Sequence, residues 1–169
     1  MATSLEDLRV LAMAESVADS VWEQVAHWRE FSRDTVGKQL VRAADSIGAN
    51  IAEGFGRFNF GEKLQFLYYA RGSLFETKYW INRTLARNLL PSFEAQNCIS
   101  QLTDLARQLN AFANSLKSQR RGEQSPRTLK EIAPEYITWA QDSIAPLFTD
   151  EDLNWLQAIP NRQSLISAL

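Results

Sequence analysis

The chain of 169 residues reads as an all-α protein. Proline is absent from residues 1 to 90, only seven glycines occur in total, and apolar side chains recur at three- and four-residue steps through four successive segments. Helices are therefore long and few. The length, with 45% apolar residues, suits one compact core plus an appendage rather than two cores.

The first helix is expected from about Leu5 to Trp28, because Val10, Ala14, Val17, Val21, Val25 and Trp28 share one face. Leu11, Ala18 and Trp22 add a second apolar row, so this helix should meet more than one neighbour. A second helix is expected from near Thr35, with Leu40, Ala44, Ile47, Ile51 and Phe55 on one side. Arg42, Ser46, Asn50, Glu53 and Arg57 fall within an arc of about 80° on the opposite side. Ala43, Ala44, Gly48, Ala49 and Ala52 keep this helix thin enough for close approach of another backbone, and Gly54 and Gly56 should stop it.

Asn59 followed by Glu62 has the spacing of a capping box and opens a third helix running from Phe60 to about Asn88. Its main apolar stripe is Leu64, Leu67, Leu74, Ile81 and Leu85; Tyr68, Phe75, Tyr79 and Ala86 form a second stripe about 110° away. Pro91 and Ser92 mark a turn, with Ser92 as N-cap of a fourth helix bearing Ile99, Leu102, Leu105, Leu109, Phe112 and Leu116. From Ser118 to Thr128 the composition turns to Ser, Gln, Arg, Gly, Glu and Pro, as in an exposed connection. Residues 1–121 are thus expected to form the helical body and residues 122–169 an acidic, aromatic extension. In the extension Thr149 and Asp152 cap a short helix through Leu153, Trp155 and Leu156.

Charge and composition exclude more functions than they suggest. Eighteen Lys and Arg against twenty Asp and Glu give a net charge of −2, so any attraction for nucleic acid must be local. One Cys (Cys98) and one His (His27) exclude a disulfide framework and a Cys/His zinc site; Gln24, three residues before His27, also breaks the Glu-x-x-His pattern of di-metal helical proteins. No metal, cofactor or catalytic constellation is expected. The N-terminal residues lack a signal-peptide pattern and no run is long enough to span a membrane, which points to the cytoplasm.

The run from Gln39 to Arg57, QLVRAADSIGANIAEGFGR, and the following Phe66-Leu67, Ala70, Gly72-Ser73-Leu74 and Glu76 resemble the four-helix-bundle proteins related to the large-subunit ribosomal RNA intervening-sequence protein. The resemblance spans about residues 5 to 120 and departs at Val41, where that family has Arg, and at Gly48, where it has proline. It implies an antiparallel up-down four-helix bundle that assembles into a ring, commonly a homopentamer. The accessory variability determinant of diversity-generating retroelements is similar in fold, and its ring binds a reverse transcriptase and nucleic acid. The partners implied are therefore a further copy of this chain, RNA or DNA, and a nucleic-acid-processing protein.

The candidate residues fall into three groups. Lys38, Arg42, Arg57, Arg71 and Lys78 are the candidate nucleic-acid contacts, since residues 38–87 hold eight Lys and Arg against four Asp and Glu. Arg71 and Lys78 lie beside the aromatic row of the third helix, as cations and π-faces do in single-strand binding surfaces. Ser46, Asn50, Glu53, Ser73 and Glu76 are expected to form a structural polar network. Trp22, Tyr68, Phe75 and Tyr79 are expected at a subunit interface, because an aromatic stripe at helical spacing more often packs than stacks on bases. Cys98 reads as an apolar filler, Glu23 as an ionic partner of His27, and Arg120-Arg121 as complements to a helix end. Tyr136, Trp139, Phe148 and Trp155 make the extension too aromatic for a solvated tail; docking on its own body is preferred to crossing to another copy or recognising a partner.

Overall fold

The computed structural model describes residues 8–123 and 145–160. Every regular element among them is helical. Helix α1 covers Arg9–Ala26, α2 Lys38–Gly56, α3 Phe60–Ala86, α4 Ser92–Glu123 and α5 Asp150–Gln157. Each of the first four packs against two others: α1 meets α2 and α4, α2 meets α3, and α3 meets α4. Between them lies one continuous core, to which Leu147, Phe148 and Leu156 of the extension also belong.

The apolar rows define the buried faces as periodicity requires. In α1 these are Val10, Leu11, Ala14, Val17, Val21 and Val25, and in α2 Leu40, Ala43, Ala44, Ile47, Ile51 and Gly54. Leu8 is extended, so α1 begins four residues after the expected Leu5, and it ends at Ala26 rather than Trp28. Its end is closed by His27, whose Nδ1 lies 2.7 Å from the backbone carbonyl of Glu23; the partner is that carbonyl, not the carboxylate.

The chain enters α2 through a helical turn at Glu30–Ser32 and a wider π-turn at Arg33–Gly37, where Lys38 donates its amide to the Arg33 carbonyl. The expected start at Thr35 falls inside this π-turn. Gly37 is buried here, and a Cβ on it would come within 2.6 Å of Val25 Cγ1, so glycine lets the turn press against α1.

Helix α2 ends at Gly56 as expected, but neither Gly54 nor Gly56 takes the left-handed geometry of a glycine stop. Both are helical, and the chain leaves at Arg57 in extended geometry. The reason for glycine at 54 is packing: an added Cβ would lie 2.9 Å from Phe66 Cβ and 3.3 Å from the Lys63 carbonyl, so α2 and α3 nearly touch there. Asn59 precedes α3 in extended geometry, yet its side chain makes no capping hydrogen bond, and the expected capping box is not formed.

Helix α3 ends at Ala86, two residues short of Asn88. Asn88 takes a left-handed φ of 53°, its amide donates to the Leu85 carbonyl, and Leu89 donates to the Thr84 carbonyl. This is a Schellman closure with Asn in the glycine position, which Asn tolerates better than other non-glycine residues. In α4 the first carbonyl used is that of Pro91, which accepts from the Ala95 amide, so Pro91 takes the cap position expected of Ser92 and Ser92 is the first helical residue. It also continues to Glu123, past the expected connection at Ser118. Cys98 is buried as expected, and burial, followed by the nearby Glu94 charge, pushes its thiol up to about 11. Tyr136 and Trp139, and the side chains of Arg120 and Arg121, lie outside the described residues.

Candidate nucleic-acid interface

The five cations singled out in the sequence divide into three places. Lys38 and Arg42, one turn apart on α2, line a shallow cavity of about 390 Å³ together with Trp22 and Val25 of α1, Val41, and Arg33 and Asp34 of the π-turn. The π-turn matters because it sets Arg33 beside α2's first turn. Trp22 keeps 62% of its surface open to solvent and lines the same depression as Lys38 and Arg42. Arg33 donates from Nε to Asp34 Oδ1 at 3.1 Å, whereas no salt bridge engages Lys38 or Arg42 among the described residues. The cavity thus combines exposed cations with an aromatic plane.

Arg57 stands apart, at the end of α2. It forms an ion pair with Glu53 one turn earlier, and its guanidinium lies 4.6 Å from the centre of the Phe66 ring on α3. Both contacts hold it against the surface.

Arg71 and Lys78 lie beneath the extension. The Arg71 guanidinium donates to both Asp152 carboxylate oxygens at 3.1 and 3.0 Å and sits 4.7 Å from the Phe75 ring centre and 5.7 Å from that of Phe148. Lys78 is fully buried; its Nζ donates to Asn82 Oδ1 at 2.8 Å and to the Ala158 carbonyl at 2.7 Å. Burial lowers its ammonium pKa to about 8, and among the described residues no carboxylate pairs with it. For Asp152, burial raises the carboxyl pKa, but the Thr149 amide and the Arg71 guanidinium outweigh it and hold the group below its ordinary value.

The extension is fastened at several points. Asn110 of α4 accepts from the Phe148 amide at 2.7 Å and donates to the Phe148 carbonyl at 2.8 Å. Lys117 donates to the Ala145 carbonyl at 2.7 Å. Phe75 stacks on Phe148 (5.9 Å between centres) and on Trp155 (5.2 Å). The Thr149 and Asp152 capping box forms in full, as the sequence indicates. Trp155 is less buried than its size suggests, with 43% of its surface exposed; Phe148 and Leu156 carry the docking.

Of the expected polar network, Asn50 and Ser73 do meet. Asn50 Nδ2 donates to Ser73 Oγ at 3.3 Å, linking α2 to α3, and also to the Ser46 carbonyl at 2.7 Å. Ser46 and Ser73 return their hydroxyls to the carbonyls of Arg42 and Tyr69 in their own helices. Glu53 and Glu76 are not part of it: Glu53 holds Arg57, and Glu76 accepts from Trp80 Nε1 at 3.3 Å.

The aromatic residues also diverge. Trp22 and Tyr79 are exposed, Tyr68 is half-buried against the core, and Phe75 faces the extension of its own chain. Arg33, Asn110 and Phe148 complete these sites although only Phe148 was expected to pack. A signal for the covering of Arg71 and the burial of Lys78 does exist: each interleaves with Leu67, Leu74 and Ile81 on the main apolar row of α3.

Among the described residues no three His, Cys, Asp or Glu side chains cluster to hold a metal ion, and no helix is long and apolar enough to cross a membrane. No curated protein sequence matches the chain significantly. The family model described as 23S rRNA-intervening sequence protein matches residues 6–111. That span takes in α1, α2, α3 and most of α4, with the Gln39–Arg57 run at its centre, and on it the chain belongs to the 23S rRNA-intervening sequence protein family.

Proposed function

We propose that this protein is a non-enzymatic scaffold that binds nucleic acid through phosphate contacts at the cavity formed by Trp22, Arg33, Lys38 and Arg42. The observation that carries the reading is the convergence of exposed Lys38 and Arg42 on an exposed indole in one shallow depression. Cations supply affinity for phosphates of any sequence, and an open aromatic face supplies stacking for an unpaired base. The family's name adds support, since it refers to an intervening sequence of 23S rRNA.

In this reading the four long helices form an antiparallel up-down bundle, and copies associate into a ring in the cytoplasm. Phe31, Phe58, Tyr79 and Phe93 are exposed large side chains that favour association. Symmetric repetition of a small positive patch then sums into a field that one copy lacks. The ring also presents these surfaces to a nucleic-acid-processing protein such as a reverse transcriptase.

The test is fluorescence anisotropy with labelled single-stranded RNA and DNA from 50 to 200 mM salt. Affinity is expected to fall steeply as salt rises, and Lys38→Gln with Arg42→Gln is expected to remove about 1.4 from the slope of log K against log salt, at roughly 0.7 per phosphate contact. Binding that ignores salt, or that survives both substitutions unchanged, contradicts the proposal.

A further inference from the structure

The covered face of α3 has the same ingredients as the open cavity: two cations beside an aromatic ring. What covers it is chemically particular. Asp152 meets Arg71 with both carboxylate oxygens, as a phosphate would, and Trp155 lies over Phe75 at 5.2 Å with 23° between the rings, as a base would. Lys78 Nζ is also 5.6 Å from the Trp155 ring centre and donates to the Ala158 carbonyl. The segment that carries these groups is acidic, with Asp150, Glu151 and Asp152 in its first turn.

We propose that the face of α3 formed by Arg71, Phe75 and Lys78 is a second site for single-stranded nucleic acid, and that α5 occupies it in the resting protein as a built-in competitor. The inference rests on the nucleic-acid reading above but concerns a different face. The two parts of the extension divide the work. Phe148, held at both backbone atoms by Asn110 and buried in the core, is the fixed anchor; α5 beyond Thr149 is the removable cover. Trp155 retains 43% exposure, and Leu156 is the one fully buried apolar side chain of α5, so lifting this helix forfeits far less apolar burial than unseating the whole extension. A buried Arg71 Nε without a hydrogen-bond partner shows that the carboxylate does not exhaust the guanidinium's donors. A phosphate, with more acceptor oxygens, has a donor left to meet.

The experiment uses the full chain and a labelled 20-nucleotide single strand, oligo(U) or oligo(dT), read by anisotropy. Asp152→Asn combined with Trp155→Ala loosens α5, and faster amide exchange over residues 150–157, with helices α1 to α4 still protected, verifies the loosening. Affinity is expected to rise at least tenfold. Trp155→Ala alone, the gentler change, is expected to give a smaller rise of about threefold. Glu151→Gln alters net charge equally at an exposed position of the same helix and is expected to change affinity less than twofold. Adding Arg71→Gln to the loosened chain is expected to cancel the gain.

Unchanged affinity with α5 verifiably loosened overturns the inference, as does an equal gain from Glu151→Gln. The two readings also fail separately. If the native chain binds through Lys38 and Arg42 and loosening adds nothing, only the second site is lost. If the native chain does not bind but the loosened one does, the open cavity is lost and the second site stands.

Discussion

Lys38 and Arg42 on α2 and Arg71 and Lys78 on α3 are alike in residue type and near an aromatic ring, yet the protein treats them in opposite ways. The first pair faces solvent beside Trp22; the second is spent on holding the extension. The difference comes from what surrounds each pair in sequence. Around Lys38 and Arg42 the helix presents its polar side, whereas Arg71 and Lys78 sit between leucines and an isoleucine on a face that must be covered. A cation on an apolar row needs a partner that is both oily and acidic, and residues 145–160 supply one. Positive residues are thus a signal of ligand binding only after the burial of their own helix face is known.

This contrast can be broken most forcefully at its anchor. Phe148→Ala removes the largest buried side chain among the described residues of the extension and is expected to cost about 3–5 kcal/mol in chemical denaturation. Next in size is the direct comparison of arginines. Arg71→Gln strips Asp152 of the Nη2 donor that both its oxygens accept from and should cost about 1.5–3 kcal/mol, while Arg42→Gln on the open face should change stability by less than about 0.5 kcal/mol. Equal costs for the two would erase the distinction.

Titration sharpens it further, because the covered face carries perturbed groups. The Asp152 carboxyl is held below its ordinary value, so its contribution is complete above about pH 4 and is lost as pH falls through the folded-state value. The stability gap between the native chain and Arg71→Gln should therefore narrow in acid. Lys78 behaves in the opposite sense: its folded value is about 8 against 10.5 ordinarily, so the unfolded chain binds more protons between those limits. Stability relative to Lys78→Met should rise across that interval, measured as the difference in denaturation midpoint. A flat difference from pH 7 to 10 would show that Lys78 is hydrated.

The smallest effect concerns neither face. Burial, then the Asp19 charge, raises the Asp45 carboxyl pKa, so its charged form is disfavoured in the folded protein. Asp45→Asn should stabilise by a few tenths of a kcal/mol at neutral pH, since the group is exposed and screened.

Much of the fold was legible because α1 to α4 each bury a periodic apolar row, and Thr149 with Asp152 gave a start for α5 that formed as written. The errors share a cause. The roles of Gly37 and Gly54 are set by Val25 and Phe66 from neighbouring helices, and no local rule anticipates a close approach. The end of α3 at Asn88 was readable in principle, Asn being tolerated where a left-handed residue is needed. At the candidate sites, Lys38, Arg42 and Trp22 were each visible, but their convergence depends on the π-turn, which leaves no periodic trace. The clamp between Asn110 and Phe148 joins residues 38 apart and could only emerge from the folded chain.

Lysine acylation footprinting of the intact protein, with and without single-stranded RNA, tests the contrast most directly. Before RNA is added Lys38 should react readily and Lys78 hardly at all; with RNA, Lys38 should become protected while Lys78 stays as it was. Lys38 equally reactive in both conditions, or Lys78 as reactive as Lys38 in the free protein, would contradict the account.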